Sequence, residues 1–149
     1  MIATAILLLA GSDARLEELS CAMTALRSGD PRDRNMVVRY LFEQFADSED
    51  RGSVAYRAAF MGAMAELLRR KDLDDSTRLG VCGGAIRVAA QAGPLVPALG
   101  DYLADLKSRR VNRERGLLGS GSGPSAEGLV QGVIRAIHVK APPGAGEKP

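Results

Sequence analysis

The chain has 149 residues, 46% of them hydrophobic and 26% charged, and a domain of this length buries roughly 68–70% of its unfolded surface without help from disulfides or metal. Aromatic residues make up only 4%, Trp is missing, and the apolar content comes mostly from Ala, Leu, Val and Met, which favours helices over sheets. A formal net charge of +2 selects no partner class by itself, and no run reaches the ~18 apolar residues that would span a membrane.

The opening MIATAILLLAG predicts a short helix or buried extended segment over residues 2–10. It resembles the apolar core of a signal peptide but has no Lys or Arg ahead of the apolar run, so secretion is the lesser alternative and a cytoplasmic setting is expected. Ser12 or Asp13 caps a helix whose buried side is Leu16, Leu19, Ala22, Met23 and Leu26, and which stops at Ser28-Gly29. Asp30-Pro31 starts the next helix, because Asp accepts hydrogen bonds from the first amides and Pro lacks only a donor that would be unpaired there. Met36, Val37, Tyr40, Leu41 and Phe45 are its expected core face.

After the turn DSEDRGS comes VAYRAAFMGAMAELL, residues 54–68, in which only Arg57 and Glu66 are charged. A helix apolar around nearly its whole circumference needs neighbours on several sides, so this segment is predicted to be the central one. Asp74, Asp75 or Ser76 caps a following helix that runs to Gly93-Pro94, and another spans about Val96 to Arg110 with Pro97 in its first turn. Gly80, Gly83 and Gly84 suit a close helix contact or a bend better than a cofactor loop. Cys21 and Cys82 lie on apolar helical stretches without CxxC spacing and are expected as reduced core residues.

Charge is distributed unevenly. Residues 1–106 carry 12 basic and 15 acidic side chains, whereas 107–115 carry five basic (Lys107, Arg109, Arg110, Arg113, Arg115) and one acidic. The helical domain is therefore drawn as 1–115, followed by a Gly/Ser linker at 116–124, an amphipathic helix at 125–139 and a tail at 140–149. The last helix, with its stripe of Leu129, Val130, Val133, Ile134 and Ile137, either docks on the body or serves as a detachable interaction segment.

A local pattern recurs around Arg39, Arg57 and Arg87, each an Arg among apolar neighbours that either seeks a nearby Asp or marks the wet edge of its helix. The stretch SGDPRDRNMVVRYL, residues 28–41, resembles a HEAT-type repeat, with an Asp-Pro turn ahead of a helix carrying a Val-Arg pair, and VAYRAAFMGAMAELL is similar to the second helix of such repeats. The resemblance covers at most residues 12–109, and the Arg spacings of 18 and 30 depart from a constant period near 40. It implies helical hairpins stacked to hold another macromolecule.

Catalytic chemistry finds little footing. His138 is the single histidine, with no Cys, Asp or Glu at ligand spacing, and no nucleophile elbow is present. GSGSG at 119–123 lacks the GK[ST] ending of a phosphate loop. Asp101 and Asp105, four apart, are expected to face solvent, with Asp105 approaching Arg109. The expectation is an all-α, HEAT-like or irregular helical bundle without catalysis, cofactor or metal, which binds another protein. Its partner surface is expected at Lys107, Arg109, Arg110, Arg113 and Arg115 together with Leu129, Val133 and Ile137. Nucleic-acid phosphates on the same basic segment are the alternative.

Overall fold

The computed structural model describes residues 15–27, 29–47, 54–112 and 123–141, and among them every regular element is helical. The first helix, α1, covers residues 15–26, with Leu19, Met23 and Leu26 buried at helical spacing. Cys21 falls on the opposite side of that stripe and is exposed, so it is not the core residue expected. The Asp30 carboxylate accepts from the amides of Arg32 (2.8 Å) and Asp33 (3.3 Å), and α2 (Pro31–Asp47) starts there as its Asp-Pro pair predicts.

The buried face of α2 is Val38, Leu41, Phe42 and Phe45, so Leu41 and Phe45 lie inside as expected while Val38 and Phe42 take the places expected of Met36 and Tyr40. Met36 and Tyr40 are exposed. Both sets have helical spacing, and the arc chosen is the one that brings two Phe rings onto α3 (Val54–Arg69). There Phe60 stacks on Phe45 with centroids 4.4 Å apart and meets Phe42 edge-on at 5.1 Å.

Helix α4 (Asp75–Arg87) packs against α2, α3 and the last helix, α6 (Gly123–Lys140), while α3 keeps Tyr56, Phe60, Met61, Met64, Leu67 and Leu68 buried. Asp74 caps it by accepting from the Thr77 amide at 2.8 Å. Two of its glycines let α2 come close: a Cβ at Gly80 would sit 2.7 Å from Asn35 Oδ1, and one at Gly84 would overlap the Phe42 ring. Gly83 faces open space.

The helix stops at Arg87, six residues short of Gly93, and gives way to two 3₁₀ turns, Ala89–Gln91 and Gly93–Leu95. Pro94 has no amide to donate and its ring excludes a continuing α-helix. Three-residue spacing then takes over, burying Ala89, Ala92 and Leu95 in succession. Helix α5 (Val96–Asn112) packs on α3, and α6 (Gly123–Lys140) on α4, α5 and the first 3₁₀ turn. The last helix therefore docks on the body, with Val130, Val133 and Ile137 inside. Gly123 and Pro124, drawn above as the end of the linker, already belong to α6, and residues 116–122 and 142–149 lie outside the described part.

Candidate functional site

The predicted partner surface is largely an internal seam. Arg110 donates from Nε to Glu127 at 2.6 Å, joining α5 to α6, and Arg109 is turned inward toward α4. Val133 and Ile137 are fully buried, because α6 spends its apolar stripe on the body. Leu129 stays partly exposed and Lys107 exposed, while Arg113 and Arg115 lie outside the described residues.

The inward-facing charges form one cluster between α4 and α5. The Asp75 carboxylate accepts two 2.8 Å hydrogen bonds from the Arg109 guanidinium, one of 3.0 Å from Arg78 and one of 3.0 Å from the Tyr102 hydroxyl. Asp105 completes it, 3.3 Å from Arg78 and 3.2 Å from Arg109, so it pairs with Arg109 as expected but does not face solvent. Arg78 is only 2% exposed, and its guanidinium lies 4.5 Å over the Tyr102 ring.

Hydrogen bonding to Arg109 outweighs burial and holds the Asp75 carboxyl at about 2, well below its ordinary range. Burial first, and the Asp75 charge second, push the Tyr102 phenol up. These groups neutralise one another, which makes the cluster a clamp between two helices and leaves no poised acid or base. Arg39 and Arg87 both lie near Glu43, at 3.5 and 4.0 Å, on exposed edges; the Asp74 and Asp75 carboxylates go instead to Arg34, Arg78 and Arg109.

An apolar cleft of about 500 Å³ lies on the flank of α3. Its floor is Ala58, Met61, Gly62 and Ala65, one end is Val54 with Arg57, and its wall is built by Phe45 of α2 with Gln91 and Pro94 of the 3₁₀ turns. The cleft exists because α3 is enclosed on only part of its circumference. Tyr56, Phe60, Met64, Leu67 and Leu68 are buried, while Ala55, Ala58 and Gly62 face outward and carry too little side chain to fill the space. A second depression of about 280 Å³ shares Phe45 and Gln91 with it and is otherwise lined by residues that include Ile86, Arg87 and Lys140. The end of α3 and the flank of α5 frame a polar hollow of about 450 Å³, across which Arg69 donates to Asp101 at 2.8 Å.

His138 is exposed, and among the described residues no group of three or more His, Cys, Asp or Glu could hold a metal ion. No described helix is long and apolar enough to cross a membrane. Fold and surface together define an all-helical bundle with an apolar cleft on one face. No family model matches the chain, and neither the curated proteins nor the solved structures contain a match.

Proposed function

We propose that this chain is a non-catalytic helical module that binds another protein, and that it receives an apolar helical segment of that partner in the cleft on α3. One observation carries the reading: a cleft of about 500 Å³ whose floor is Ala58, Met61, Gly62 and Ala65, on a helix whose other faces are locked in the core. Its backing is rigid, since Phe45, Phe60 and Met64 behind it are fully buried. The nucleic-acid alternative loses support, because Arg109 and Arg110 are committed to Asp75 and Glu127.

Site-specific photocrosslinking tests the reading. A photoreactive side chain at Ala58 is expected to give a discrete adduct with one protein, one at exposed Lys107 is not, and Gly62→Leu in the Ala58 background abolishes the adduct. Equal labelling from both positions, or labelling indifferent to Gly62→Leu, overturns it.

A further inference from the structure

We infer that the free chain closes its cleft with its own apolar run, residues 2–10, so that a partner helix has to displace it; this rests on the protein-binding reading above and adds its regulation. Residues 1–14 lie outside the described part, and the chain enters that part beside α3, where the Arg15 guanidinium lies 5.9 Å over the Tyr56 ring. Tyr56 belongs to the same turn of α3 as Val54 and Arg57, at one end of the cleft, and as Ala58 of its floor. The run is thereby tethered next to the cleft's end. Gly11 to Ala14 reach about 13–14 Å when extended, enough to pass the roughly 10–12 Å width of a helix.

Length and chemistry match as well. From Val54 to Ala65 the α3 lining extends about 16 Å, and residues 2–10 as a helix would extend about 14 Å. The run carries Ile2, Ile6, Leu7, Leu8 and Leu9, with no charged side chain before Asp13, and it meets a floor that is thin and apolar. Both surfaces are liabilities in water, and a short tether brings them together at an effective concentration of millimolar order.

The other segments outside the described part are poorer occupants. Residues 48–53 adjoin Val54 but are Ser, Glu, Asp, Arg and Gly, with no apolar side chain to place in the cleft. Residues 113–122, with Leu117 and Leu118, follow the end of α5 that Arg109 fastens to the first turn of α4, whereas the cleft wall at Gln91 follows the other end of α4. Residues 142–149 carry no apolar side chain larger than Pro.

Thiol accessibility in the purified full chain tests the inference. With Cys21→Ser as background, Ala58→Cys is expected to react with a chromogenic disulfide reagent at least about tenfold more slowly than the same thiol in a chain that also carries Leu7→Asp and Leu8→Asp. A tenfold slowing corresponds to a cleft open about one-tenth of the time, and it weakens a partner's apparent affinity by the same factor. Lys107→Cys is expected to react equally in both backgrounds, and Cys82, which is buried, to stay unreactive in both, which shows that the fold is intact. A photoreactive side chain at Ala58 of the purified chain is expected to give an adduct within one molecule that maps to residues 2–10.

Equal rates at Ala58→Cys with and without the two Asp substitutions overturn the inference, and so does an adduct that joins two copies or maps to residues 48–53. If a discrete adduct with another protein still forms, the protein-binding reading stands without this regulation. A slow thiol and a mapped internal adduct, with no adduct to another protein even in the Leu7→Asp, Leu8→Asp chain, support the closure and overturn the protein-binding reading instead.

Discussion

Arg109 grips Asp75 through two parallel hydrogen bonds of 2.8 Å, so the last turns of α5 are fastened to the first turn of α4 across 34 residues of sequence. An arginine in the most basic stretch of the chain is thereby a structural fastener. Asp105 shares the same guanidinium at 3.2 Å, and Tyr102 and Arg78 converge on the same carboxylate from below.

Replacing Arg109 with Ala is expected to destabilise the fold by about 2–3 kcal/mol. That lies at or below the 3–5 kcal/mol typical of broken buried pairs, because the side chain is 36% exposed and partly screened. Arg109→Lys, which keeps the charge but loses the fork, falls between Ala and the native residue. Lys107→Ala changes stability by no more than about 0.5 kcal/mol. Urea unfolding followed by circular dichroism separates the three; equal effects of Arg109→Ala and Lys107→Ala would show that the fastener contributes nothing.

Acid should loosen the same joint. The Asp75 carboxyl titrates at about 2 in the folded chain against an ordinary 3.8, so its contribution is complete above about pH 4 and is lost as pH falls toward 2. Discounted for the solvent screening of a partly exposed pair, the difference corresponds to about 1–2 kcal/mol. Urea midpoints measured between pH 5 and 2 are expected to decline, and less steeply in Asp75→Asn, which is weaker at neutral pH but has no carboxylate to protonate there. Parallel curves for the two proteins would exclude this role.

Two glycines should respond with opposite signs. Gly84→Ala drives a methyl into the Phe42 ring, which cannot swing away because it is buried and held edge-on by Phe60, and a cost of about 1–3 kcal/mol is expected. Gly62→Ala meets nothing within 4 Å on the open side of α3 and gains about 0.5–1 kcal/mol from helix propensity alone. Thermal unfolding of the two variants checks both signs at once.

The cysteines should also separate. Cys21 is exposed, whereas burial pushes the Cys82 thiol up to about 12 and leaves little thiolate at neutral pH. A chromogenic disulfide reagent is expected to titrate one thiol rapidly in the native chain and the second only in denaturant. Fast reaction of both would mean that the α4 core opens readily.

Local signals were legible wherever one residue acts on its neighbours. Asp30-Pro31 starts α2, Asp74 caps α4 and the apolar stripe of α6 finds a core, since capping and helical periodicity are decided within a few residues. Periodicity on α2 left two overlapping arcs open, and the choice of Phe42 over Met36 and Tyr40 was made by Phe60 on another helix. The end of α4 at Arg87 was equally hidden, because its replacement by 3₁₀ turns serves the burial of Ala92 and Leu95 against distant partners.

By itself the sequence determined an all-helical chain, most of its helix starts, and the absence of long apolar spans, because each of these rests on short-range hydrogen bonding and side-chain patterning. Only the tertiary structure decided which charges are spent internally and which surface stays open. Asp75 and Arg109 meet through the packing of α4 and α5, and the α3 cleft is the space that Phe45, Gln91 and Pro94 wall off from three separate segments. Such neighbourhoods are set by how helices close over one another, a long-range outcome that no run of adjacent residues encodes.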